Sequence, residues 1–454
     1  MRSKVAVATA SLIGVTVLIA GCSSGSSKKS SSSSGGAAAT GTSAASTSGG
    51  GAASGGSLDG PIVWATGKDN SGTLPAIQQM WNKLHPDAKV TIHQQSSEAD
   101  AQHTDLQQNF QAKSGAYDIV TVDVVWTAEF AAKQWLVPLD GANALPTDKL
   151  LPATVKAATY GGKLYAAPYA SDGGLLYYRK DLVKTPPKTW AQLIADCKGK
   201  TVPSTQSATL AKPACYAGQY KQYEGLTVNA AEAINSAGGE FVKPDGKTPD
   251  VDTPKAKAGL DFLVNGFKQG YIPKEALGYT ETEDLNAFVG GQLMFMRNWP
   301  YADAIAGNKG ANKGSKVAAK YSIAPLPGQN GPGASSLGGH SSAISAYSKH
   351  PKTALEFLKF TESDAVQRSN LNVGTLAPVT TALYSDPALV KKFTYLPTLL
   401  ASIQKAVPRP VTPFYPAVTT AIEQNVYSAL QGKTTSAQAL ANLQKAISAA
   451  SAGQ

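Results

Sequence analysis

The sequence predicts an α/β protein built on doubly wound sheets, and three observations support this. Short apolar segments alternate with helical ones from Ile62 to Trp135. The run Tyr117-Asp118-Ile119-Val120-Thr121-Val122 is nearly continuous in β-branched residues, as in strands covered on both faces. Beyond it the helical period dominates, interrupted by isolated strand-like stretches.

In order, Ile62 to Thr66 reads as a strand ending at Gly67, and Leu74 to Leu84 as a helix stopped by His85-Pro86. Val90 to His93 alternates as a second strand, and Ala99 to Lys113 is helical. The β-branched run is the third strand, and Trp126 to Trp135 returns to helical spacing. In such sheets ligands bind beyond the carboxyl ends of the strands, where Asp123 and Trp126 fall. Further strands are expected at 163–167, 292–297, 321–325 and 342–346. Helices are expected at 191–196, 226–236, 254–267, 282–289 and 353–361, with three more in the tail at 396–406, 417–430 and 436–449.

The N-terminus carries an address. Arg2 and Lys4 precede an apolar stretch from Val5 to Ala20, and Ala20-Gly21 precede Cys22. This is the pattern of a bacterial lipoprotein signal, too short to span a bilayer as a helix. Residues 1–21 are therefore expected to be removed, leaving a lipid-modified (palmitate-bearing) Cys22 on the outer face of the cytoplasmic membrane. Ser23 to Gly56 is almost wholly Ser, Gly, Ala and Thr and is expected to be a flexible leash with a reach of roughly 30–35 Å.

The formal charge of +10 includes Arg2, Lys4, Lys28 and Lys29, and the body has no Lys/Arg run, which argues against nucleic acid as a partner. About 400 residues follow the leash, enough for two or three domains. With Cys22 assigned to lipid, Cys197 and Cys215 remain, and outside the cell they are expected to be bridged.

Catalytic signatures are missing. His85, His93, His103, His340 and His350 show no metal-ligand spacing, and there is no GxSxG, GxxxxGK[ST] or strand-linked GxGxxG. No cofactor and no metal are expected.

Several segments, in order along the body, resemble the extracellular solute-binding proteins of ABC importers, family 1, of the maltose/trehalose-binding type. They are Tyr117–Val120 leading to Asp123–Phe130, Lys163–Pro168, Leu175–Arg179, Tyr223–Leu226, Ala237–Gly239, Gly291–Pro300 and Ala354–Leu358. The resemblance implies a two-lobe periplasmic-binding-protein fold (type II-like), with doubly wound sheets in each lobe and a ligand cleft between. On that basis 57–170 plus 301–348 would form the N-terminal lobe and 171–300 plus 349–454 the C-terminal lobe. Hinges would fall near Pro168–Ser171, Asn298–Tyr301 and Tyr347–His350.

The resemblance also implies site residues. Asp123 and Glu281 fall on sugar-binding carboxylates, Trp299 on a stacking aromatic and Arg409 on a guanidinium donor. Gly338 and Gly339 fall where a missing side chain lets a ligand approach. Asp172 falls where trehalose-type relatives carry Asn, and Tyr223, Glu224 and Trp126 are further cleft candidates. Other readings stay open: Asp123 as a cap for the Thr127 helix, Trp299 as core and Glu281 as a solvated first-turn charge. Arg409 could pair with a surface carboxylate, and Asp172 before Gly173-Gly174 could be a turn residue.

The expected function is a non-enzymatic, monomeric receptor that captures a di- or oligosaccharide by cleft closure and delivers it to an ABC permease. An exported glycoside hydrolase and a sugar- or peptide-binding sensor or adhesion module are the alternatives.

Overall fold

The computed structural model describes residues 57–69, 71–309 and 312–453. The expected signal segment 1–21, the lipidated Cys22 and the leash to residue 56 lie outside the described residues. Among the described residues no helix is long and apolar enough to cross a membrane.

The strands, in chain order, are β1 (Ile62–Thr66), β2 (Val90–Gln94), β3 (Ile119–Asp123), β4 (Thr159–Tyr160) and β5 (Lys163–Leu164). They continue with β6 (Ala167–Gly173), β7 (Leu175–Arg179), β8 (Ala214–Ala217), β9 (Leu293–Asn298), β10 (Tyr321–Ala324) and β11 (Leu337–Ile344). One sheet runs β2-β1-β3-β11-β6 and a second runs β10-β7-β9-β8, while β4 and β5 form a hairpin.

The first lobe carries helices α1 (Thr73–Leu84), α2 (Ala99–Gln111), α3 (Thr127–Ala132) and α4 (Pro152–Ala157). The middle of the chain adds α5 (Trp190–Cys197), α6 (Glu224–Ser236), α7 (Pro254–Gln269), α8 (Glu281–Val289) and α9 (Ala302–Ala306). Then follow α10 (Pro351–Thr361), α11 (Asp364–Gly374), α12 (Pro387–Lys392), α13 (Leu396–Gln404), α14 (Tyr415–Leu430) and α15 (Ser436–Ala452).

Period-two alternation builds the first lobe. Trp64 and Ile119 face one side with Ile77, Trp81 and Phe357, whereas Ala65, Val120 and Val122 face the other with Leu106, Phe110 and Phe130. Both faces are covered, so β1 and β3 are apolar at most positions, as the near-continuous β-branched run predicts for β3. The second lobe has one large core, in which α6, α7, α14 and α15 pack together beside β7, β8 and β9. Within it Cys197, at the end of α5, is disulfide-bonded to Cys215 in β8, with Cα atoms 5.6 Å apart.

The chain passes between lobes at other points than expected. All of β6, from Ala167 to Gly173, pairs with β11 in the first sheet, so the first crossing lies between Gly173 and Leu175 and not at 170. Strand β10 lies inside the stretch 301–348 but pairs with β7, Tyr321 opposite Arg179, in the second sheet. The return crossing therefore lies between β10 and β11, not at 300. Helices α10 and α11 pack on α1 of the first lobe, so 348 is no boundary either, and Tyr347–His350 joins elements of one lobe. Proline was a poor marker because pairing register overrode it: Pro168 sits inside a strand opposite Ser341. The crossing segments lie side by side. The Gly174 N–H donates to Ser335 Oγ at 2.6 Å, and Ser336 pairs with Val407 of the tail.

Candidate functional site

Strand ends and helix N-termini form the walls of the cleft. β3 ends at Asp123, β11 places Gly338 opposite Asp172 of β6, and Trp126 follows β3. From the second lobe, α6 begins at Glu224 after Tyr223, α8 begins at Glu281, and the chain leaving β9 delivers Trp299. These residues, with Gly339 and Arg409, line one cavity of about 230 Å³. All ten candidates from the sequence thus meet in one place.

Arg409 ties the lobes together. Its Nη2 donates to Asp123 Oδ1 at 3.0 Å and its Nη1 donates to Glu224 Oε1, while Nε has no partner among the described residues. Tyr415 and Thr419 from α14 also donate to the Glu224 carboxylate, the latter at 2.6 Å. Burial would lower the proton affinity of Arg409, but Asp123, Tyr415 and Glu224 beside it outweigh that and hold it above the ordinary arginine value. Burial pushes the Glu224 carboxyl up against the opposing pull of Arg409. The carboxylates that pair with Arg409 line the cavity and are not on the outer surface.

Trp299 rests on a second guanidinium. Arg297 lies 3.8 Å from its ring centroid and is itself held by Glu232, with Nε–Oε2 2.7 Å and Nη2–Oε1 2.6 Å. The Trp299 N–H donates to Asn298 Oδ1 at 2.7 Å, and the Tyr177 hydroxyl donates to the Trp299 carbonyl at 2.7 Å. The ring is therefore fixed before any ligand arrives. It also explains Gly338: a Cβ there would lie 2.7 Å from the Trp299 ring. Gly339 has φ +109°, and a Cβ would meet the Ala170 carbonyl at 2.4 Å. At the Cβ position of these two glycines lie the protein's own ring and strand, so a side chain at either would clash, and both glycines line the cavity.

The remaining alternatives resolve by position. Asp123 does not cap α3, since no side chain caps that helix; its Oδ1 accepts from the Val125 N–H at 3.2 Å. Asp172 is no turn residue but lies within β6, 7 % exposed. Glu281 accepts the Tyr223 hydroxyl at 2.6 Å and faces the cavity. Sequence reasoning missed Tyr169, Tyr301, His340 and Lys68, which share the wall. Tyr301 follows Trp299-Pro300 and His340 follows the two glycines, so proximity to stronger candidates was the available signal. Burial lowers the His340 pKa, favouring the neutral ring.

The wall offers hydrogen-bonding carboxylates, a guanidinium and aromatic rings, contributed by both lobes. The family model for bacterial extracellular solute-binding proteins matches residues 64–368. The chain belongs to that family. A probable ABC transporter-binding protein of Deinococcus radiodurans is 35% identical over 368 residues, covering 78% of this chain and 85% of that one. A mannitol-binding protein of Pseudomonas aeruginosa is 26% identical over 398 residues, covering 82% and 88%. Among solved structures, maltose-bound MalE3 of T. maritima superposes with a TM-score of 0.77 at 29% identity, covering 85% of this chain and 98% of that one. The two-lobe α/β fold is that of the family, and a member of it is a binding protein of a transporter, not an enzyme.

Proposed function

We propose that this solute-binding protein is the lipid-anchored receptor of an ABC importer, closing on a di- or oligosaccharide, or on a sugar-like polyol, and handing it to the permease. The observation that carries the reading is the cavity between the lobes where Asp123, Glu281, Arg409 and Trp299 converge. Sugar hydroxyls both donate and accept, and their C–H faces are apolar. Carboxylates take the donors, the Arg409 guanidinium lines the same wall, and the Trp299 ring, held in place by Arg297, offers a stacking face. The relatives named for mannitol and maltose bracket the ligand class from polyol to disaccharide. The leash from Cys22 keeps the receptor, working as a monomer, within reach of the permease.

Titration calorimetry of the purified protein against neutral polyols, mono-, di- and oligosaccharides tests the reading, with recovered ligand checked by mass spectrometry. One-to-one binding of an intact sugar, lost in Asp123→Ala and Trp299→Ala, is the expected result. Cleaved ligand would point instead to a hydrolase.

A further inference from the structure

The carboxylates on the cavity wall are not equally provided for. Asp69 accepts the Gly72 and Leu74 N–H groups at the start of α1, at 3.0 and 2.8 Å. Glu224 and Glu281 open α6 and α8, where the helix dipole favours negative charge. Glu224 also holds Arg409, and Glu281 accepts the Tyr223 hydroxyl. Asp123 shares Arg409. Asp172 alone stands in mid-strand with no hydrogen bond to any described residue, although it is more than nine-tenths buried and lines the cavity. The cation nearest in charge to it, Arg297, is already bound bidentately by Glu232.

A buried carboxylate without a partner is costly, and a binding site tolerates it when the ligand supplies the partner. Its surroundings say what that partner is. Asp172 and Trp299 flank Gly338: a Cβ at that glycine would lie 3.2 Å from Asp172 Cβ and 2.7 Å from the Trp299 ring. Carboxylate and aromatic ring side by side suit an ammonium, which the one pairs with and the other attracts through its π face. A neutral hydroxyl can donate to Asp172 but brings no counter-charge, whereas an ammonium brings both. Burial, reinforced by Asp123 against the pull of Arg297, pushes the Asp172 carboxyl up to about 7, in keeping with a carboxylate that lacks its counter-charge.

We propose that the ligand of this cleft is an amine-bearing sugar or polyol whose protonated nitrogen seats between Asp172 and Trp299. The inference rests on the sugar-receptor reading above and narrows it.

The test is calorimetric titration with matched pairs: glucosamine against glucose, trehalosamine against trehalose, and 1-amino-1-deoxymannitol against mannitol, with the N-acetylated forms as uncharged controls. In at least one pair the amine is expected to bind about tenfold or more tighter than its neutral parent and its acetylated form, as a charge-assisted hydrogen bond supplies. Asp172→Asn, nearly isosteric, should bring that ratio close to one by weakening the amine far more than its neutral parent, with the unfolding temperature holding. A neutral sugar that binds as well as or better than its amine overturns this inference and leaves the receptor reading intact, as does a preference that survives Asp172→Asn. Failure of every compound, charged and neutral, overturns both.

Discussion

Arg297 and Arg409 are both buried arginines beside the same cavity, yet they do different work. Arg297 spends its donors inside one lobe: Glu232 takes two and Gln219 a third, at 3.1 Å, and its flat face carries Trp299. Arg409 divides its donors between lobes, one to Asp123 at the end of β3 and one to Glu224 at the head of α6, and its Nε has no partner among the described residues. A guanidinium whose partners all lie in one body maintains that body. One whose partners lie in two bodies reports on how they meet and on what lies between them.

The contrast breaks first at Arg297. Arg297→Met strands Glu232 without its counter-charge, and chemical denaturation should show a loss of about 3–5 kcal/mol. A loss under about 1 kcal/mol would mean that Arg297 is not the foundation of its lobe. Replacing Cys197 and Cys215 together with Ser sharpens the same point, since it weakens the second lobe without touching the cleft. For a loop of this span, with an 18-residue separation, the expected cost is about 3 kcal/mol, with ligand affinity unchanged under conditions where the protein stays folded.

Arg409→Met should behave the other way round. Ligand affinity falls by about tenfold or more in titration, whereas stability falls by only about 1–2 kcal/mol, less than for Arg297→Met, because Glu224 keeps the Tyr415 and Thr419 hydroxyls and Asp123 faces the open cavity. Equal stability losses for the two variants would erase the distinction. Smaller still is Lys221→Ala. Lys221 pairs with Glu98 across the mouth of the cleft at 2.6 Å, with both side chains well exposed, and a change below about 1 kcal/mol is expected.

Glu362 shows what a carboxylate does with neither kind of arginine. Its Oε1 is buried with no partner among the described residues, and burial pushes its pKa from 4.5 to about 8. The folded protein therefore holds a proton there that the unfolded chain has released. The contribution to stability is present below pH 4.5 and is lost as pH rises to about 8. Thermal unfolding across that range should show the decline, and Glu362→Gln should make it shallower.

The alternation of β1 to β3 with their helices was legible because two-sided burial writes itself as local pattern. So was the meeting of Asp123, Trp299 and Arg409, through ordered motifs that resemble one family. The lobe crossings were not legible. Whether β10 joins β7 or β11 joins β3 depends on pairing across well over a hundred residues, which no window of sequence contains. The Arg297–Glu232 pair was hidden for the same reason: Arg297 stood in a recognised segment, but its partner lies 65 residues earlier on α6. Asp172 before two glycines looked like a turn because its neighbours, not its own pairing, carried the local signal.

A crystal structure of the protein with whichever sugar it binds tests the central claim most directly. The expected result is one ligand molecule between the lobes, its ring or chain against Trp299 and its polar groups on Asp123 and Arg409. A ligand held by one lobe alone, or bound away from these three residues, would contradict it.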